Sequence, residues 1–391
     1  MKKILFLLSR FLDGGIDTVL LDYLRHLSQN PNYRITLAIS INMGEMEVFA
    51  KMVPDNVEVV HLVNNHSLIK WRKRKLTQPI PFYARLYDDV VLTPIRRHLI
   101  GKKLRAMSKD YDVVIDFDCC HYSYLKNVTT WKVVWFHFSF EHLMDQNPHR
   151  MKRIGSRLRH YDRIVTISKA MYEEGTRLFP WLQDKLCLIY NAKNPDQLIR
   201  LCKTEHKDEL MDYPYILAVE RLEESQKDLS TLIRAYQLLK MTYGHREKLY
   251  LLGKGRDEGK LQQLAAALGL QDDVVFLGFH SNPYPWIWHA SAIAHSAKME
   301  GLPTAMIESL ILDKLIVATD CPTGPREILD DGKAGLLTPV GDEQAMAQAL
   351  HQLLTDKELQ KTLHQHILQH KNLFLFESTG KLFDEVITPR P

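Results

Sequence analysis

Glu300 and Glu308 bracket the stretch EGLPTAMIE, which follows the run SAIAHSAKM. Between the two acids, Gly301-Leu302-Pro303-Thr304 leads into an apolar segment, and Pro303 or Thr304 suits the first turn of a helix. A helix starting there aims its unbonded N–H groups and the positive end of its dipole at whatever lies before it. Glu308 falls about one turn further on, along the same side. An anion met by backbone N–H groups and flanked by two carboxylates points to a diphosphate whose attached sugars offer hydroxyls to those carboxylates. Two basic residues complete such a site. Arg221 follows the run YILAVE (Tyr215 to Glu220), and Lys227 opens the next periodic segment. Arg supplies a planar fork of donors and Lys a point charge. The plainer alternatives stay open: acids that serve only the helix start, and cations paired at the surface with Glu223 or Glu224.

Such residues need strands to carry them. The chain of 391 residues is too long for one ordinary core, so two domains of roughly 150–200 residues are expected. It opens with MKKILFLLSRFLDGG. ILFLL is too short for the apolar core of an export signal, Arg10 interrupts it, and no small-residue cleavage pattern follows. A continuous apolar run of this length fits a strand buried on both faces. Val19, Leu20, Tyr23, Leu24 and Leu27 then recur at helical spacing. ITLAIS, VEVVHL, DVVIDF, KVVWFHF, RIVTIS and LCLIYNA continue as strands with helices between several of them. The polar stretch KTEHKDELMDY (Lys203 to Tyr213) reads as a linker. A second series follows: YILAVE, KLYLLGKG, DVVFLGF, SAIAHSA, LIVATD and GLLTPVGD, interleaved with helical segments. The pattern predicts an α/β protein with two Rossmann-like, doubly wound domains facing a central cleft.

The quoted motifs resemble a family. EGLPTAMIE is similar to the Glu-x7-Glu motif of retaining glycosyltransferases of family 4, which have the GT-B fold. RLEESQKDLSTLIRAY resembles the family's phosphate-binding stretch. LLGKGRDEGKLQQLAAALGLQDDVVFLGF resembles the stretch beside the nucleoside, and VATDCPTGPREILDDGKAGLLTPVGD the C-terminal block. RIVTISKAM and LIYNA match more loosely. The likeness is strong from Tyr215 to Asp342 and weak from Asn65 to Asp110.

The resemblance implies roles. Glu308 would bind the donor's ribose hydroxyls, and Glu300 would face the transferred sugar. Backbone around Gly301, Leu302, Pro303 and Thr304 would meet the phosphates, though proline offers no N–H. Arg221 and Lys227 would hold the leaving diphosphate. Gly253, Gly278 and Phe279 would lie on the donor side. Gly14 and Gly15 would let the first loop approach phosphates or acceptor, and His137 in WFHF resembles a family histidine near the sugar. His137 is equally readable as a satisfied strand-end histidine, and Gly14-Gly15 as a plain turn. Departures also stand out: Glu220 occupies a position usually Gly, Asp17 one usually Glu, Leu315 one usually Pro, and Asp313 one usually small. The implied domains are 1–195 on the acceptor side, 208–372 on the donor side, and a C-terminal helix over 373–391 returning to the first.

Composition bounds partners. Hydrophobic content of 45% and charged content of 25% fit a soluble globular chain. The five scattered cysteines form no CxxC pair, which fits a reducing compartment. No stretch approaches the ~20 apolar residues that span a bilayer. Net charge is +4, yet Lys70 to Arg105 holds eleven Lys or Arg against Asp88 and Asp89, a local +9 that leaves −5 elsewhere. Trp71, Phe82, Tyr83 and Tyr87 are interleaved. The segment reads as a solvated face or as one drawn to an anionic membrane surface; no nucleic-acid motif accompanies it.

The expected function is retaining, metal-independent transfer of a hexose or N-acetylhexosamine from a nucleotide sugar, a UDP-sugar first, to a saccharide or lipid-linked saccharide acceptor of lipopolysaccharide or capsule. No cofactor is expected. Asp116-Phe117-Asp118 is the one DxD near a site, and it also reads as a turn cap. The expected place is cytoplasmic, peripheral on the inner membrane face. The alternatives are a sugar-nucleotide epimerase, a phosphorylase-like enzyme, or an inactive nucleotide-sugar-binding protein.

Overall fold

A computed structural model describes the chain apart from residues 13, 205–207 and 390–391. The middle of the expected linker and the end of the C-terminal segment therefore lie outside the described residues. The apolar runs form strands. In the first unit these are β1 (Lys2–Leu8), β2 (Tyr33–Ile41), β3 (Glu58–Val63), β4 (Val113–Asp116), β5 (Trp131–Phe136), β6 (Arg163–Thr166) and β7 (Leu186–Leu188). All pair in parallel in the order β3-β2-β1-β4-β5-β6-β7. ILFLL lies in β1, near the middle of this sheet and buried on both faces.

The second unit repeats the plan with β8 (Tyr215–Val219), β9 (Lys248–Leu252), β10 (Val274–Gly278), β11 (Ala292–His295), β12 (Ile316–Thr319) and β13 (Leu336–Thr338). Its order is β10-β9-β8-β11-β12-β13, again parallel. Each sheet thus has one place where strand order reverses, between β1 and β4 and between β8 and β11. Loops leaving the carboxyl ends of such a strand pair diverge, which opens a crevice for ligands.

The units divide at Ile189 and Tyr190 rather than near 195, and Ser168–Met171 also group with the second. LCLIYNA is a strand only over its first three residues. Beyond it, the Tyr190 ring sits 5.1 Å from that of Phe374, and Lys193 N donates to Phe374 O at 2.9 Å. These contacts tie the segment to the second unit. The C-terminal stretch also splits. In the helix Phe376–Val386, residues through Thr379 belong to the second unit, whereas Gly380 onward belongs to the first. There Phe383 lies 5.7 Å from Tyr23 and 5.9 Å from Trp135, ring centre to ring centre. Trp131 Nε1 donates to Val386 O at 2.9 Å, and Tyr33 bonds Asp384.

The basic segment forms the helices His66–Thr77, Phe82–Tyr87 and Thr93–Met107, the last two joined by a π-helical turn at Asp88–Leu92. Not all of its charge is free. Buried Asp88 takes both Arg96 nitrogens, at 2.6 and 3.0 Å, and Arg72 at 3.2 Å. Lys103 donates to Leu62 O at 2.6 Å. The apolar residues Phe82, Tyr83, Leu86, Tyr87, Val90 and Ile95 remain exposed, Phe82 by 79%.

Phe383 is a buried aromatic between two others, so its truncation removes both burial and ring contacts. Phe383→Ala is expected to destabilise the first unit by about 3 kcal/mol. Chemical denaturation followed by tryptophan fluorescence checks this; a loss under about 1 kcal/mol would mean the returning segment is dispensable.

Candidate active site

The loops after β8 and β11 carry the charged residues of the second unit. Glu220 directly follows β8, and Lys227 ends the short helix Glu224–Lys227. Asp228 continues in the left-handed region at φ +48°, a conformation Asp tolerates better than most residues. His295 ends β11, and Glu300 lies five residues on, before the helix Thr304–Ile311. Cross-loop bonds hold these segments together. Lys298 N donates to Gln226 O at 2.8 Å, Ser296 Oγ to Lys227 O at 2.8 Å, and Lys298 Nζ lies 2.8 Å from Asp228 Oδ1.

The result is a buried chain of four charges. Lys227 Nζ bonds Glu300 Oε1. His295 Nε2 lies 3.4 Å from the same Glu300 oxygen, and His295 Nδ1 lies 2.7 Å from Glu220 Oε1. Burial alone would discharge each group, so the partners decide. Lys227 and His295 hold the Glu300 carboxyl at about 2 against its desolvation. Burial opposes charge on His295 too, yet Glu220 and then Glu300 push it up to about 9. Lys227 is likewise held above its usual range by Glu300 and Glu220 despite burial. Glu220 therefore does not crowd a phosphate approach; its side chain turns inward onto His295.

Gly301 and Leu302 lead to Pro303, which precedes the helix with φ −67° and ψ 110°, and no side chain caps that end among the described residues. The first N–H groups thus stay available to an incoming acceptor. Gly324 braces the turn at φ +90°. A Cβ there would meet Pro303 Cδ at 2.6 Å and Gly301 O at 3.0 Å, so only glycine lets the CPTGP loop close on it. Gly253 does the same for LLGKG. At φ +148°, its added Cβ would fall 1.9 Å from Glu220 O. Its N–H donates to Gly278 O at 2.8 Å, and beside it Lys254 Nζ sits 4.7 Å over the half-exposed Phe279 ring.

Glu308 lies one turn inside the helix and is buried. Lys193 Nζ meets its Oε1 at 2.5 Å, and Tyr284 Oη lies 3.3 Å from the same oxygen. Arg221 is more than half exposed and only 3.7 Å from Glu223, a weak surface pair. Of the sequence-named residues, then, Lys227 and Glu300 meet directly, while Gly253 with Gly278 and Gly301 through Glu308 frame them. His295, Lys193 and Tyr284 were missed by sequence reasoning. A histidine closing a buried strand just before the acidic motif was the available signal for the first; nothing local marked the other two.

Gly14, Gly15 and His137 belong to the first unit. Gly14 precedes the helix Gly15–Leu27 in extended backbone at φ −91°, which any residue adopts, so the turn itself does not demand glycine. Gly14 N donates to Asp17 Oδ2 at 2.8 Å, which gives Asp17 a helix-start role. His137 lies just past β5 and its Nε2 donates to Phe117 O at 2.8 Å. Burial lowers it to about 4, so the ring is neutral with Nδ1 unprotonated. Asp116, Asp118 and His121 have ligand atoms within 4.8 Å of one another. Three of the four carboxylate oxygens are engaged: Asp116 takes His121 N, His121 Nδ1 and Tyr161 Oη at 2.9, 2.8 and 2.5 Å, and Asp118 Oδ2 takes Ser9 N at 2.7 Å, while buried Asp118 Oδ1 has no hydrogen bond among the described residues and lies 3.4 Å from His121 Nδ1.

Residues 202–369 match the model of the glycosyl transferases group 1 family. The match lies within the second unit. The chain is 34% identical over 225 residues to an N-acetylgalactosamine-N,N'-diacetylbacillosaminyl-diphospho-undecaprenol 4-alpha-N-acetylgalactosaminyltransferase of Campylobacter jejuni, a match covering 58% of this chain and 57% of that one. The chain thus spans little more than half the length of this relative. It is 25% identical over 271 residues to a lipopolysaccharide 1,6-galactosyltransferase of Salmonella typhimurium, covering 66% and 70%. The solved structure of HepE from Anabaena with UDP-glucose superposes with a TM-score of 0.75 at 17% identity, over 99% of both chains. The fold is GT-B, with two Rossmann-like units as the sequence pattern predicts.

The Lys193–Glu308 pair is buried, so removing one partner strands the other's charge. Lys193→Met is expected to destabilise the second unit by roughly 3 kcal/mol, and Lys193→Met with Glu308→Leu to recover most of that. Urea denaturation of both variants checks this; a single variant as stable as the parent would show the pair to be idle.

Proposed function

We propose that the protein is a glycosyltransferase that moves a hexose or N-acetylhexosamine from a UDP-sugar to a saccharide acceptor of a bacterial surface glycan, with retention of anomeric configuration. The observation that carries this reading is the buried Lys227–Glu300 pair set before a helix start that no side chain caps among the described residues, inside the stretch that matches the group 1 family. An ammonium has three N–H donors. One serves Glu300, leaving two for a diphosphate oxygen. The helix N-terminus adds fixed positive potential, and Arg221, little committed to Glu223, supplies a mobile fork. Together these groups stabilise charge as it develops on the leaving diphosphate, which is electrostatic catalysis by preorganised donors. Glu300, fully ionised, is suited to accept hydroxyls of the transferred sugar and to offset positive charge at its reacting carbon. Glu308 is suited to the ribose. On this reading no metal is required, because lysine, arginine and helix neutralise the diphosphate.

The names of the relatives support the acceptor class: one acts on a diphospho-undecaprenol-linked saccharide and another on lipopolysaccharide. The first unit supports a membrane-borne acceptor. Exposed Phe82, Tyr83, Val90 and Ile95 sit beside a basic helix in which Trp71 lies under Lys70 and Arg74. Apolar side chains next to lysines and arginines suit an anionic bilayer surface. No helix among the described residues is long and apolar enough to cross a membrane.

Release of UDP is the direct test, over a panel of UDP-hexoses and UDP-N-acetylhexosamines with membrane-derived acceptors. Glu300→Gln and Lys227→Ala should each lower kcat about a hundredfold or more, and EDTA should leave the rate unchanged. An epimerised donor, phosphorolysis, or nucleotide binding without turnover would replace this reading with one of the alternatives. Sedimentation with vesicles should show binding to phosphatidylglycerol-containing but not neutral lipid, weakened in Phe82→Ser/Tyr83→Ser. Equal binding to both lipids would remove the membrane surface from the proposal.

A further inference from the structure

Glu220 and His295 end adjacent parallel strands, β8 and β11, and both are buried. Neither Glu220 oxygen has a hydrogen-bond donor elsewhere among the described residues, so the 2.7 Å contact with His295 Nδ1 is its compensation. The other ring nitrogen faces Glu300 at 3.4 Å. A neutral imidazole carries one N–H and cannot serve two carboxylates; an imidazolium carries two. The family resemblance has glycine at position 220, so this pair is a feature of the present chain and has no part in the Glu-x7-Glu motif itself.

The arrangement gives Glu300 two cations, one on each side. Lys227 is the more exposed of the two, with 13% of its side chain accessible, while His295 is 4% accessible and anchored by Glu220. We propose that Glu220 and His295 form a positioning pair that keeps Glu300 ionised and in place while Lys227 engages the donor diphosphate. Without it, drawing Lys227 toward phosphate would leave a buried carboxylate with its charge exposed to low dielectric, and the group would protonate or turn away. The pair touches neither the phosphates nor the acceptor on this reading. It acts through Glu300, and its kinetic consequence rests on the sugar-transfer function proposed above.

The groups facing His295 are Glu220 from the loop after β8, Glu300 from its own loop, Lys227 from the helix Glu224–Lys227, and behind them the thiol of Cys321, which burial, then Glu300, pushes up to about 12. His295 gains charge on folding, so its effect is complete below its ordinary value of 6.5 and is lost as pH rises through about 9.

Two independent measurements test the pair. The first is NMR titration of the His295 imidazole in the whole protein, which reads the pair without any turnover. The wild-type midpoint is expected near 9, falling to ~7 or below in Glu220→Gln; a wild-type midpoint at or below 6.5 overturns the proposal. The second is kinetic. His295→Gln and Glu220→Gln should lower kcat roughly tenfold or more while UDP affinity by calorimetry stays within about twofold, and Glu220→Asp should restore much of the loss. The alkaline limb of kcat should move to lower pH in Glu220→Gln. Unchanged kcat in both variants, or a loss of UDP affinity equal to the loss of rate, overturns it. A wild-type protein that releases no UDP from any donor would instead sink the functional reading, and the titration would still decide whether the pair is charged.

Discussion

The ion pair between Lys227 and Glu300 is the contact on which the second unit's loops are arranged. A buried carboxylate beside a buried ammonium holds only if geometry and further partners offset the loss of water, since the idealised cost of burying either ion alone is of order 20 kcal/mol. Every neighbouring contact serves that requirement. Ser296 Oγ donates to Lys227 O and Lys298 N to Gln226 O, across the two loops. Gly253 gives the third loop room to lie against Glu220, and Gly324 gives the fourth room to brace Pro303. The sheet order brings this about. With β8 and β11 adjacent and their following helices diverging, residues far apart in sequence share one carboxyl edge.

The first sheet, with one more strand at its edge, follows the same order and the same reversal, between β1 and β4, yet its charges are used differently. Asp116 and Asp118 turn onto backbone N–H groups, a tyrosine hydroxyl and His121. Asp116 and Asp118 push His121 up to about 10 against burial, and His121 in turn holds Asp118 at about 2. Apart from Asp118 Oδ1, which only faces His121 at 3.4 Å, that cluster's polar atoms bond one another and the backbone and so rigidify its turn. In the second unit the helix start is left uncapped and Arg221 is exposed. The same topology thus yields a polar cluster turned onto itself in one unit and, in the other, a helix start that no side chain caps among the described residues.

How far the sequence discloses this depends on how local each signal is. Strands buried on both faces announce themselves as unbroken apolar runs, so β1 and β8 were legible from ILFLL and YILAV. The run LCLIYNA misled beyond Leu188, because its later residues are apolar or aromatic for packing on Phe374 rather than for pairing in the sheet. Glu300 and Glu308 were legible as a pair because one helix start fixes their spacing; Lys227 was legible as a cation in the stretch after β8, whereas its contact with Glu300, 73 residues away, was not. The pairing of Glu308 with Lys193, 115 residues away, was not, since contact at that separation is set by tertiary packing alone. Glu220 was visible only as a departure; its meaning required His295 on the neighbouring strand. The basic segment was legible as charge, but its count overstated the free charge, because Asp88 and Leu62 O engage Arg96, Arg72 and Lys103.

Charge balance then assigns the mobile role in the proposed donor site. Glu220 and Glu300 are matched by His295 and Lys227, so the buried array is neutral before any ligand arrives. A diphosphate adds negative charge that the array does not offset by itself. The helix dipole contributes only about half an elementary charge at its N-terminus. Among the residues named for the phosphate, Arg221 is exposed and held by Glu223 at 3.7 Å, a separation at which solvent screens most of the attraction. Its guanidinium is therefore free to leave Glu223 at little cost. Lys227 cannot move far without disturbing Glu300, whereas Arg221 can. In the proposed donor site the buried lysine would therefore fix where the phosphates go, and the exposed arginine would supply the charge that follows them as they leave.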